Sequence, residues 1–287
     1  MNADYVFVLD KPVVSKEFIE EIDKLGLPLV WIDHHEIESE LGKIKYKHLF
    51  VYNPAKNKGK EKSTEPVTYW CYETSGRKED LWLAILGCAY DHYLPDFIND
   101  FKDKYPDFWG NVRDPFDAYF GTEIGKIARS LNFGLKDSIT NVVKMQSFLL
   151  KCTSPGEVLE ESKGNVLFIK KYEELRKRYN NLLSKAEECL KGDSLFFEYG
   201  GESSMSSELS NELSYRHRDK YIAVAFINGG VVNVSLRGKN VNSILSKLLK
   251  KFEKSSGGGH ENAVGARITT EDLKMFKKAL EEEISNI

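Results

Sequence analysis

Tyr5-Val6-Phe7-Val8-Leu9-Asp10 and Leu29-Val30-Trp31-Ile32-Asp33-His34-His35 set the architecture of the N-terminal part of the chain. The first is a continuous β-branched and aromatic run, the pattern of a strand buried on both faces. Between them, Ser15 is placed to cap a helix whose Phe18, Ile19, Ile22 and Leu25 share one face, and Gly26 to end it. Strand, short helix, strand is a βαβ unit, whose strands run parallel with a right-handed crossover. Asp10 and Asp33-His34-His35 are therefore expected at the same edge of the sheet, beyond the carboxyl ends where ligands of open α/β sheets bind. Carboxylate with imidazole suits a divalent ion such as Mn²⁺ better than a thiolate site does. Taken alone, Asp10 reads more readily as a turn or cap residue than as a ligand. Asp-His-His directly after an apolar strand is the more specific signal.

Asn53–Pro66, with Lys56, Asn57, Lys58, Gly59, Lys60 and Lys62, reads as an exposed loop. From 67 to 162 the pattern is mostly helical, including Asp80–Ala89 and Asp137–Leu150. Tyr172, Leu175, Tyr179, Leu182, Ala186 and Leu190 then step at three and four residues, the mark of one long amphipathic helix ended by Gly192-Asp193. Beyond that point strands are expected at Leu195–Tyr199, Tyr221–Ile227 and Val231–Leu236, the last two joined through a tight Asn228-Gly229-Gly230 turn. Helices follow at Asn242–Phe252 and Leu273–Ile284, the second with the stripe Leu273, Phe276, Leu280, Ile284.

The second chemical signal is Ser256-Gly257-Gly258-Gly259-His260, continuing into a strand-like Ala263–Ile268. Successive glycines let backbone N–H groups approach an anion, and His260 adds a donor or a positive charge, so the segment reads as a packed turn cradling phosphate. Tyr215-Arg216-His217-Arg218 reads as a solvated helix end. His48, His92 and His217 read as surface or core histidines, with no carboxylate at metal-ligand spacing.

The bulk numbers fit this picture. A chain of 287 residues can hold two domains, and 41% hydrophobic with 30% charged residues is globular composition. The longest apolar runs are too short to span a bilayer and the N-terminus has no signal-peptide pattern, so no membrane association is expected and the cytoplasm is the default. Cys71, Cys88, Cys152 and Cys189 form no C-x-x-C pair and read as core thiols. A net charge of −3 confines any nucleic-acid surface to a local basic patch.

Together, Val6–Asp10, Trp31-Ile32-Asp33-His34-His35-Glu36, Leu86-Gly87-Cys88-Ala89-Tyr90-Asp91 and Gly257-Gly258-Gly259-His260 resemble the DHH–DHHA1 phosphoesterase superfamily, most closely its archaeal RecJ-like branch. The resemblance implies an α/β architecture: a parallel-sheet DHH domain over residues 1–165, a connecting helix over 166–192, and a smaller mixed α/β DHHA1 domain over 193–287. It implies hydrolysis of phosphodiesters or phosphoanhydrides with two Mn²⁺ or Mg²⁺ ions. Carried over residue by residue, Asp10 bridges the ions, His34 and Asp91 bind one of them, His35 faces the phosphate, and Asp33 orients the imidazoles. Arg237 and Gly257, Gly258, Gly259 and His260 grip the substrate, with a nucleic-acid channel expected between the domains.

Members of the superfamily carry a further strand with a His-x-Asp-x-Asp motif ahead of the segment matching Tyr5–Asp10, and this sequence lacks it. The expected function is a metal-dependent phosphodiesterase or exonuclease acting on single-stranded nucleic acid or oligonucleotides, with the motif supplied by a complementing polypeptide or absent because the reading frame is truncated. The alternative is a catalytically inactive scaffold or replication-associated binding subunit.

Overall fold

The computed structural model describes residues 3–35, 46–57 and 64–286. Lys58, Gly59, Lys60 and Lys62 of the expected loop, and Glu36 of the Asp-His-His segment, lie outside the described residues. The fold is α/β and divides into two compact units, residues 1–132 with 144–165 and residues 133–143 with 166–287. Among the described residues no helix is long and apolar enough to cross a membrane.

In chain order, the first unit contains β1 (Val6–Leu9), α1 (Lys16–Lys24), β2 (Leu29–Ile32), β3 (Leu49–Tyr52), α2 (Pro54–Asn57), α3 (Val67–Ser75), α4 (Leu81–Tyr90), α5 (Ile98–Lys104) and α6 (Pro115–Gly121). Helices α7 (Glu123–Gly134) and α8 (Ile139–Leu149) each have residues in both units. The strands form a parallel sheet in the order β1-β2-β3. Ser15 caps α1 by accepting from the Phe18 N–H, and Gly26, at φ 68°, follows its end. One face of the sheet is packed: Leu29 and Trp31 are buried with Val14 and with Ile19 of α1, and Val6, Val8 and Ile22 lie against them.

The other face corrects the expectation for β1. Phe7 is 60% and Leu9 45% exposed, so the strand is covered on one face only. A continuous apolar run cannot distinguish a doubly covered strand from an edge strand, and β1 is the edge of this sheet among the described strands. On α1, Phe18 and Leu25 are likewise exposed, leaving Ile19 and Ile22 to dock the helix. Asn53 and Pro54 are buried and Pro54–Asn57 is a short helix, so the first residues of the segment expected as an exposed loop are structured. All four cysteines are free; Cys88 is fully buried and the other three are half-buried.

The second unit contains α9 (Val166–Glu187), β4 (Leu190–Lys191), β5 (Ser194–Gly200), α10 (Ser206–Arg216), β6 (Tyr221–Asn228), β7 (Val231–Arg237), α11 (Val241–Leu249), β8 (Ser256–His260), β9 (Ala263–Thr269) and α12 (Leu273–Ser285). The long helix stops at Glu187, earlier than its periodicity suggests. Leu190 instead pairs with Leu195, and Gly192, at φ 56°, turns the β4–β5 hairpin. The sheet order is β4-β5-β6-β7-β9-β8, with β5 and β6 parallel and every other pair antiparallel. One face packs against α11 and α12 in a core that includes Val232, Val234, Leu236, Leu248, Phe276 and Leu280. On the opposite face the apolar side chains of β6, Ile222, Val224 and Phe226, give way across β7 to Arg237, Ser235 and Asn233.

The glycine run is strand rather than turn. Ser256–His260 pairs antiparallel with β9, the turn falling at Glu261-Asn262. The glycines allow close strand approach: a Cβ at Gly257 would lie 2.5 Å from the Gly265 carbonyl oxygen, and one at Gly259 would lie 2.5 Å from that of Ala263. A Cβ at Gly258 meets nothing within 4 Å. Gly257→Ala is therefore expected to destabilise the protein by about 1–3 kcal/mol. Gly258→Ala should change stability by less than about 1 kcal/mol. Urea denaturation of the two variants checks both.

Candidate functional site

The first unit's site is assembled where its parallel strands end. The backbone N–H of Asp10 donates to the Ile32 carbonyl at 3.0 Å, and that of Asp33 to the Tyr52 carbonyl at 3.1 Å. Each strand's closing residue is thereby tied to its neighbour. Asp10 adopts φ 55°, in the left-handed region. The Trp31 indole N–H donates to the Lys11 carbonyl at 2.9 Å, which pins the turn just after Asp10 from the buried side of the sheet.

Asp10, His34 and His35 each present a ligand atom, all within 4.8 Å of one another. His34 Nε2 lies 3.4 Å and His35 Nδ1 3.9 Å from Asp10 Oδ1, and the two imidazoles meet edge to face at 4.5 Å. Asp33 is fully buried. Its Oδ1 accepts from the His35 backbone N–H at 2.7 Å, and its two oxygens lie 3.2 and 3.3 Å from His35 Nδ1. Asp33 thus holds the His35 ring. One carboxylate and two imidazoles are a donor set that fits a divalent ion with mixed oxygen and nitrogen preference.

Asp91 follows the last turn of α4 and is not among those three clustered groups. Its carboxyl is nonetheless pushed up to about 6, chiefly by burial, while His34 pulls it down, Asp10 raises it and His35 lowers it. The four groups therefore share one electrostatic environment. Asn53, which closes β3 as Asp10 closes β1 and Asp33 follows β2, is a residue that sequence reading missed. It is buried, and its Nδ2 donates to the His35 carbonyl at 2.8 Å. The signal was available: Asn53 directly follows the apolar Leu49–Tyr52.

The remaining histidines have structural surroundings, but two of them do meet carboxylates. His48 Nδ1 is 3.3 Å from Asp23, and His217 Nε2 is 2.5 Å from Glu187. His92 stacks on Phe116 at 4.2 Å. The Tyr215–Arg218 segment closes α10, where Arg216 bridges Glu212 and Glu187.

In the second unit, Arg237 ends β7 and pairs in register with Ala263 of β9, which pairs in turn with His260 of β8. The adjoining row is Ser235, Gly265, Gly258. Gly258, Gly265, His260 and Arg267 are exposed, so β9 and β8 offer a glycine floor with basic side chains at its margins. Arg237 is partly buried. Its Nε donates to Asn211 Oδ1 at 2.7 Å, Nη1 to the Leu236 and Val264 carbonyls, and Nη2 to Ser207 Oγ at 3.4 Å. Burial pushes its pKa down to about 10.

Residues 192–286 match the DHHA1 domain family. Among solved structures, the chain is similar to Mn²⁺-bound RecJ from Thermus thermophilus, with a TM-score of 0.62, 13% identity, and coverage of 99% of this chain and 45% of that one. A manganese-bound exonuclease RecJ matches with a TM-score of 0.57 and 14% identity, over 99% of this chain and 76% of the other. The pGpG-specific phosphodiesterase PggH of Vibrio cholerae matches with a TM-score of 0.52 and 13% identity, over 95% and 88%. No curated protein matches the chain by sequence. Residues 192–286 thus match the DHHA1 domain model, the chain shares its fold with these RecJ structures, and it spans less than half the length of the Thermus RecJ chain.

Removing the Asn53 amide strips the His35 carbonyl of a buried donor. Asn53→Ala is expected to lower stability by about 1–3 kcal/mol. Chemical denaturation monitored by tryptophan fluorescence measures the loss, and Asn53→Asp, which keeps the shape but not the donor, should show a loss as well.

Proposed function

We propose that this chain is a divalent-metal-dependent phosphodiesterase of the DHH type, acting on single-stranded nucleic acid or short oligonucleotides. The observation that carries the reading is the convergence of Asp10, His34 and His35, with ligand atoms within 4.8 Å, at the carboxyl ends of neighbouring parallel strands. The similarity in fold to RecJ and PggH, proteins named for exonuclease and phosphodiesterase activity, supports it.

In this reading Asp10 and His34 hold Mn²⁺ or Mg²⁺, and Asp91 adds a carboxylate from the end of α4. The bound ion supplies a nucleophilic water at neutral pH and charge stabilisation at the phosphoryl oxygens. His35, fixed by Asp33, presents its ring to the phosphate and helps neutralise the charge that develops there. Arg237, His260 and the Gly257–Gly259 backbone hold the nucleic acid by its phosphates. Residues 1–165 then act as the catalytic DHH-type domain, 166–192 as the connecting helix, and 193–287 as the substrate-binding DHHA1-type domain.

Cleavage of end-labelled single-stranded DNA, RNA and dinucleotides by the pure chain, with Mn²⁺ and with a chelator, tests the reading. Metal-dependent hydrolysis is expected, and His34→Ala should lower its rate by about a hundredfold or more. If no substrate is cleaved and calorimetry detects no bound Mn²⁺, the stand-alone enzyme is ruled out and the chain is a binding module.

A further inference from the structure

Among the described residues, Arg237 is anchored by neutral groups alone: a side-chain amide, two backbone carbonyls and a hydroxyl. Those four bonds leave an N–H of Nη2 to spare. Elsewhere in this unit the guanidinium of Arg216 meets the carboxylates of Glu212 and Glu187. The two acids of α10, the helix that carries Asn211, are engaged with other residues. Glu208 pairs with Lys136 at 2.7 Å, and Glu212 binds Arg216 at 2.6 Å and the Tyr179 hydroxyl at 2.7 Å. A partly buried cation without a counter-charge is costly to the fold, because burial disfavours charge and neutral acceptors offset only part of that. The uncompensated charge stands at the edge of the glycine floor, in the same row as His260.

We propose that Asn211 is the positioning residue that makes Arg237 a receptor for phosphodiester groups of single-stranded nucleic acid: its neutral amide fixes the guanidinium without cancelling its charge. The inference rests on the assignment of Arg237 and β8 to ligand binding made above. An aspartate at 211 would keep the acceptor and the shape but would form an ion pair at 2.7 Å with Nε, drawing Arg237's charge away from the ligand. Position 211 therefore sets whether this face binds anions at all strongly, through its hydrogen bond to Arg237.

The test is equilibrium binding of a fluorescein-labelled ten-nucleotide oligothymidylate to the full chain, in EDTA so that no metal-dependent cleavage intervenes. Asn211→Asp is expected to weaken binding by about tenfold or more. It should also reduce the slope of log affinity against log salt by about 0.7, the loss of one phosphate contact on a single strand. Its thermal midpoint should equal or exceed that of the unsubstituted chain, because a buried charge gains a partner. Asn211→Ala, which frees the guanidinium, should weaken binding too, but with a lowered midpoint. A merely structural role for Asn211 predicts instead that Asn211→Asp binds like the original. Affinity within about twofold and an unchanged salt slope for Asn211→Asp would overturn the proposal. So would absence of oligothymidylate binding by the unsubstituted chain. Failure of the chain to hydrolyse nucleic acid with Mn²⁺ bears on the catalytic reading alone, since the binding is measured without metal.

Discussion

The backbone hydrogen bond from Asp10 to the Ile32 carbonyl is the contact on which the first site depends. It extends the parallel ladder one residue beyond β1 and so fixes where the chain leaves the sheet. Because parallel strands all end on one side, the same rule brings Asp33 and Asn53 to that edge. The strands are only four residues long, and a slip of one residue would turn every side chain to the opposite face. Trp31, 1% exposed and bonded to the Lys11 carbonyl, opposes such a slip, since its indole fits only the covered face. Packing on one face of the sheet thereby sets the polar chemistry at its end.

The second unit solves a different problem. Its sheet is largely apolar on the α11–α12 face, while the other face changes character across β7. Valine and phenylalanine on β6 are followed by asparagine, serine and arginine on β7, then by glycine and arginine on β9. Such a sheet has an α-helix over one half and an open polar floor over the other. Side chains on the floor would block close approach of a ligand to the backbone, and Gly258 and Gly265 remove them. The stability forgone at that bare edge is offset by the continuous core on the reverse face, which runs from Ala223 through Val234 to Ala266.

Much of this was legible in the order of residue types. The βαβ unit, the Asp-His-His terminus, the β6–β7 hairpin and the two C-terminal helices follow from periodicity and turn residues, which are local properties. The points that were missed depend on partners distant in sequence. Whether Phe7 and Leu9 are covered depends on what lies over the sheet, and hydrophobicity alone is silent on that. Gly257-Gly258-Gly259 looks like a turn because glycine is common in turns, yet here it is required by the carbonyls of β9. Asn53 and Asn211 carry no motif. Their importance comes from single hydrogen bonds, to the His35 carbonyl and to the Arg237 guanidinium.

The left-handed conformation of Asp10 links the chemistry of that carboxylate to the energetics of its backbone. Asparagine and aspartate tolerate this region, whereas alanine pays about 1–2 kcal/mol to enter it and β-branched residues more. An alanine here would therefore remove a carboxylate and relax the exit of the strand at once, shifting the neighbouring imidazoles by an unrelated route. Asparagine alters only the charge. The identity of the side chain and the path of the main chain are thus two separable variables at a single position, and evolutionary or engineered change there is channelled toward the few residues that satisfy both.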